Sequence, residues 1–278
     1  MSTSSTELLT RTRERTAPED ARAPRRLGRW RASALLRLIS PIALVLLWQL
    51  LSSVGVISED KLSSPVTIGR TAGQLIQSGE LGDAMLISLR RVAIGFAIGL
   101  IVGAVIGVAA GLSRWSDLLI DPPMQMLRTL PFLGLIPLFI IWFGIGEAPK
   151  VALVALGTAF PLYVNVHAGI KNADRRLVEA TTVLGFSRWE RIRHVVLPSA
   201  VPNSLVGLRL GLAAAWLSLV VGEQINASAG LGYMINNASQ FGRNDIVLVA
   251  LLVYAILGLT TDGIVRALER RLLRWRTS

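Results

Sequence analysis

Arg128 and Arg209 are the two charges set inside long apolar runs of this 278-residue chain, and the chemistry open to them is anion binding. A charge at membrane depth costs about 2.5–3.5 kcal/mol on insertion scales, so it faces a cavity or a partner. Two other roles fit the same residues: snorkelling of the guanidinium to the inner headgroups, and pairing with Asp121 or another carboxylate. The expectation is that one or both make the inner part of a pathway positive. Covalent chemistry has little to work with. No Gly-x-x-x-x-Gly-Lys-Ser/Thr phosphate loop occurs, and Gly144-Ile145-Gly146 lacks the third glycine of a dinucleotide fingerprint. No serine–histidine–acid or Glu-x-x-His arrangement stands out. With no cysteine and only His167 and His194, no metal cluster and no cofactor are expected. If the chain does work, the energy comes from another polypeptide.

The other patterned stretch runs from Glu179 to Pro198. It opens Glu179-Ala180-Thr181, places Gly185 six residues after the glutamate, and closes Val195-Val196-Leu197-Pro198. Asp174 is a candidate N-cap, and residues 175–184 have the spacing of a short amphipathic helix. Gly185 suits a left-handed C-cap. Ser187 can cap a second short helix, which Pro198 is expected to end. Leu177, Val178, Val183, Leu184 and Phe186 are then free to fill a groove on a partner.

The elements that hold these residues are apolar and long. Hydrophobic residues make up 52% of the chain and charged residues 17%, against about 25% charged in soluble domains. The mean hydropathy is +0.53. Six spans, each near the roughly 20 helical residues needed to cross a bilayer, are predicted at 38–58, 92–113, 122–143, 151–170, 203–221 and 246–264. Only helices satisfy the backbone in lipid, so the fold class is an all-α membrane protein. Residues 1–34 read as a disordered, arginine-rich arm that could meet acidic headgroups, and 35–278 as the transmembrane domain. A surface helix is expected near 67–78. Pro131 and Pro137 predict a kink in the third span. Gly95, Gly99, Gly103, Gly107 and Gly111 recur every four residues in the second span, a pattern for close helix packing.

Lysine and arginine counts set the orientation. With the N-terminus inside, the inner segments hold nine, one, six and five; the outer segments together hold six, with Arg90 and Arg91 against the trend. Both termini and loop 171–198 are therefore expected in the cytoplasm. The +11 formal charge follows this asymmetry, and no nucleic-acid partner is expected. Glu223, at the outer end of the fifth span, reads as a solvated loop carboxylate.

Residues 179–198 resemble the EAA signature of ABC-importer permeases: Glu-Ala-Ala, three residues, Gly, nine residues, Ile-x-Leu-Pro. Thr181 and Val195 stand where the signature has Ala and Ile. The likeness extends from about residue 80 to the C-terminus. It is carried by Arg91-Val92-Ala93-Ile94-Gly95-Phe96, Gly111-Leu112-Ser113-Arg114-Trp115, Gln125-Met126-Leu127-Arg128, Ile141-Trp142-Phe143-Gly144-Ile145-Gly146 and Gly230-Leu231-Gly232-Tyr233. These are similar to permeases of the aliphatic-sulfonate, taurine, nitrate and thiamine-precursor importers, the alkanesulfonate branch above all. The resemblance implies a type I importer permease fold in the bacterial inner membrane. It also implies a second permease copy, two cytoplasmic ATP-binding subunits and an extracytoplasmic solute-binding protein. The chain itself is then no enzyme. Glu179, Ala180, Thr181, Gly185, Leu197 and Pro198 fall on the loop that docks the ATPase. Taurine, nitrate or bicarbonate, and a thiamine precursor are the alternative cargoes; a channel or a membrane scaffold is the alternative class, and neither accounts for the loop.

Overall fold

The structure is a computed structural model that describes the backbone of residues 27–273 and the side chains from Ile39 onward, apart from those at 128, 132, 133 and 226. Residues 1–50 and 51–278 form separate compact units. Helix α1 (Leu27–Ser53) carries Pro41 within it. It begins eight residues inside the stretch expected as an arm; the rest of that stretch, 1–26, lies outside the described residues. Its end is set by Gly55 at φ +80°, with the Val56 N–H donating to the Leu51 carbonyl at 3.0 Å.

The larger unit is helical throughout its described residues. Helix α2 (Pro65–Gln77) is capped by Ser64. Helix α3 (Glu80–Leu112) starts a full three turns before the apolar run that marked the second span. Helix α4 (Arg114–Thr129) and helix α5 (Ile136–Phe143) replace the single kinked span expected at 122–143. Pro131 forces Leu130 into an extended conformation (φ −73°, ψ 134°), and a 3-10 turn at Phe132–Leu135 follows. Helix α6 (Glu147–Lys171) leads to α7 (Arg175–Val183), α8 (Arg188–Arg191), α9 (Leu197–Asn226), α10 (Leu231–Gln240) and α11 (Asn244–Leu272). Among the described residues, four helical stretches are long and apolar enough to cross a membrane: Glu80–Leu112, Glu147–Lys171, Arg188–Ile225 and Asn244–Leu272.

Helices α3, α6 and α9 form the packed centre. The five-glycine stripe of α3 lies along α6. A Cβ on Gly95 would meet Val154; on Gly99, Ala155 and Thr158; on Gly103, the Ala159 backbone; on Gly107, Val166; on Gly111, Ile170. On the other side of α6, Gly169 meets Ala200, and Gly207 and Gly211 of α9 meet Asn165 and Thr158. The three helix axes approach closely because these positions lack side chains. Gly103→Leu is therefore expected to push α3 off α6, with a loss of about 1–3 kcal/mol or more. Size-exclusion profiles and thermal unfolding of the purified protein check this; a monodisperse variant with an unchanged midpoint contradicts it.

Candidate functional site

The segment between α6 and α9 is built by local caps. Asp174 accepts from the Arg176 N–H at 2.9 Å and starts α7. Gly185, at φ +82°, ends it: the Phe186 N–H donates to the Thr181 carbonyl (3.0 Å) and the Gly185 N–H to the Thr182 carbonyl (3.1 Å). This is the double hydrogen bond of a Schellman turn. Ser187 and Glu190 close a reciprocal capping box around α8. Arg191 ties the two short helices together through its Nη1 and the Thr182 hydroxyl, 2.7 Å apart. Thr181 donates its hydroxyl back to the Leu177 and Val178 carbonyls (3.0 Å each). It therefore serves the helix much as an alanine would.

No residue of α7 is buried. Val183 is 88% exposed and Leu184 72%, with Leu177, Phe186 and Trp189 also out. Glu179 and Ala180 are exposed, and Glu179 has no ionic partner among the described residues. An apolar surface of this kind on a two-helix projection is a shape for docking into a groove.

Pro198 does not end the second helix. The chain passes from α8 through a π-helical turn at Ile192–Val196 into α9, with Leu197 and Pro198 in the first turn of α9. Leu197 bonds to the Ile192 carbonyl, five residues back. The wider turn accommodates a ring that would strike a carbonyl in a regular helix. Helix α8 and α9 are thus one unbroken rod.

The opposite end of the centre holds a buried ionic cluster, and it corrects the reading of Glu223. That side chain is fully buried, not solvated. It accepts from the Ser88 hydroxyl (2.9 Å), Arg91 Nη1 (2.7 Å), the Gly232 N–H (2.8 Å) and the Tyr254 hydroxyl (2.9 Å). Arg91 also grips Glu147 through Nε and Nη2, both at 2.6 Å, and donates to the Ala229 carbonyl. Lys150 bonds Glu147 and the Gly146 carbonyl. The cluster joins α3, α6, α9, α10 and α11. It also accounts for half of the charge anomaly in the sequence count, because Arg91 is neutralised by two carboxylates; Arg90 is exposed. Sequence reasoning missed this site. The available signal was that Arg91, Glu147 and Glu223 all sit where apolar spans start or stop on the same predicted side.

Arg209 pairs with Asp262 (Nε to Oδ1, 2.8 Å), which also holds Arg266 at 2.9 Å, and the guanidinium of Arg209 is 51% exposed. It lines a cavity of about 750 Å³ between α9 and α11 whose other walls include Leu205, Leu210, Trp216 and Leu217. Asp121 is taken up by the Tyr163 hydroxyl (2.7 Å) and Gln125. Arg128 lies in the last turn of α4, and its side chain falls outside the described ones. Lys171 first and His167 second hold the Asp117 carboxyl below its usual range, from 2.6 and 2.7 Å.

The profile of the family described as binding-protein-dependent transport system inner membrane component matches residues 95–274. A Bacillus subtilis protein named as an aliphatic sulfonates transport permease is 44% identical over 90% of this chain and 91% of its own. An Escherichia coli protein of the same name is 48% identical over 84% and 89%. The taurine transport system permease protein of Escherichia coli is 35% identical over 88% and 85%. Among solved structures, an inward-facing form of a methionine ABC transporter superposes with a TM-score of 0.61. It covers 70% of this chain and 97% of that one at 19% identity, a likeness of fold alone.

Proposed function

The chain belongs to the family of binding-protein-dependent transport system inner membrane components, so it is an ABC-importer permease of the inner membrane, and we propose that it carries aliphatic sulfonates. The observation that carries this reading is the apolar two-helix projection between α6 and α9 with the EAA spacing, exposed and continuous with a spanning helix. A channel or scaffold has no use for such a device. Sulfonate is favoured over taurine because the relatives named for sulfonates are 44% and 48% identical and the taurine permease 35%. The cavity beside Arg209 has apolar walls for an alkyl tail; its guanidinium is paired with Asp262, and Glu269 also lines the space, so an anionic head would have to compete with these carboxylates for Arg209.

Two permease copies enclose the pathway within membrane lipid, and two ATP-binding subunits seat the α7–α8 projections. A solute-binding protein delivers ligand from outside. Glu179, Ala180, Thr181 and Gly185 give the docking geometry; Leu197 and Pro198 join it to α9. Helix α1 and the α4–α5 pair complete six crossings with both termini inside. Arg209 and Arg128 lie along the inner pathway. ATP binding draws the projections together and turns the pathway outward; hydrolysis returns it inward.

Uptake of a labelled alkanesulfonate by cells lacking the chain and by complemented cells, with taurine and nitrate as competitors, tests the reading. Restored uptake blocked only by other alkanesulfonates is the expected result; accumulation of taurine or nitrate instead moves the cargo to a sister branch. Arg209→Gln is expected to reduce sulfonate uptake about tenfold, the loss of roughly one charge-assisted contact, while the complex still purifies intact. Unchanged uptake removes Arg209 from the pathway.

A further inference from the structure

Between the α7–α8 projection and the adjoining ends of α3 and α6 lies a cavity of about 390 Å³. Gly111 and Ile170 form its apolar floor, and Arg175, Arg188, Arg191 and Glu179 line it. Three guanidinium groups therefore face one carboxylate. None of Arg175, Arg188 and Glu179 has an ionic partner among the described residues. The neighbouring acids are already engaged: Asp174 caps α7, Glu190 closes the α8 box, and Asp117 holds Lys171 and His167.

The sharper observation is at Arg191. Its Nη1 is satisfied by Thr182, but its Nε is shielded from solvent and has no acceptor. A buried donor without an acceptor costs about 1–3 kcal/mol, and native structures leave few of them without a bound water or ion to answer them. A forked, always-charged donor group matches the paired oxygens of a phosphate or sulfate better than any single acceptor.

We propose that this cavity binds a tetrahedral oxyanion that fastens the coupling projection to the helical centre. The anion bridges Arg191, Arg188 and Arg175; a turn of the Arg191 side chain brings its shielded Nε onto an anion oxygen, and the part of the chain that the ATPase must grip is stiffened. Its source is either the headgroup phosphate of an acidic phospholipid or a free inorganic anion. The coupling role and the cytoplasmic side rest on the permease reading; the site itself does not depend on the cargo.

The test uses the purified importer, permease with ATP-binding subunits, in two arms. In detergent, inorganic sulfate is titrated against chloride at constant ionic strength. In nanodiscs, phosphatidylcholine alone is compared with phosphatidylcholine plus phosphatidylglycerol. The permease unfolding midpoint is expected to rise by about 3 °C or more when the site fills. The rise is expected to vanish in Arg188→Gln and Arg175→Gln, two exposed positions where the fold is not at stake, and to persist in part in Arg191→Lys. A response in the sulfate arm identifies a free anion as ligand, and one in the lipid arm a headgroup; either supports the site. No shift in both arms, or an equal shift in the arginine variants, overturns it. Sulfonate uptake reads the cargo separately, so failure of one does not mimic failure of the other.

Discussion

Glu223→Leu is expected to destabilise the protein by about 3–5 kcal/mol, the usual cost of removing one member of a buried ion pair. The substitution takes the carboxylate from Arg91 Nη1, which keeps only the Ala229 carbonyl, and strips the acceptor from the Ser88 and Tyr254 hydroxyls and the Gly232 N–H. Each is left in a space that water does not reach. Glu223→Gln is expected to cost less, since an amide oxygen still accepts. Adding Arg91→Met to Glu223→Leu is expected to recover part of the loss, because the buried guanidinium, then held by Glu147 alone, is gone and Glu147, which is mostly exposed, turns to solvent. Thermal unfolding of the purified protein gives the order of the three variants. Hydrogen exchange of α10, whose first residues hang on this cluster, gives the place. Equal midpoints for wild type and Glu223→Leu would show that the cluster contributes nothing to stability.

Gly185→Val is expected to lower uptake at least tenfold while the fold survives and the ATP-binding subunits keep a basal hydrolysis rate. A Cβ at Gly185 meets nothing within 4 Å, so there is room for the side chain. The cost comes from the backbone: at φ +82° an L-residue, and a β-branched one most of all, is strained by about 1–2 kcal/mol. The turn relieves that strain by opening, which breaks the bonds to Thr181 and Thr182 and changes the angle between α7 and α8. Gly185→Asn is expected to keep most of the activity, because asparagine tolerates this conformation. Uptake and hydrolysis measured together in proteoliposomes separate lost docking from lost folding. Equal coupled transport by the valine variant would dismiss the turn as a coupling element.

The parts of the molecule that were legible in the sequence are those whose cause is local. Asp174, Gly185 and Ser187 cap helices through neighbours no more than five residues away, and they do so wherever the rest of the chain goes. The glycine spacing in α3 likewise specified a face, though not which helix would meet it; α6 does. Pro198 misled because a proline is a stop only in a regular helix, and nothing in the residues around it announced a π turn. Glu223 misled for a different reason. Its partners Arg91 and Ser88 lie 132 and 135 residues earlier, and a carboxylate at a helix end is indistinguishable in sequence from a solvated one. The third predicted span failed at Leu130-Pro131, where hydropathy sums over a break that backbone geometry does not permit a helix to cross.

The π turn that joins the projection to α9 makes the molecule a lever. The rod from Arg188 to Ile225 has 38 residues, or about 57 Å of length at helical rise. A tilt of about 5° about one end carries the other sideways by about 5 Å, close to one helical pitch. The far end is anchored by Glu223; α6 packs on the shaft through Gly169, Gly207 and Gly211, and α3 packs on α6 through its glycine stripe. A push on the handle is thus expected to tilt the shaft together with the two helices packed in series on it, with the smallest travel at the ionic end and the largest at the α8 end.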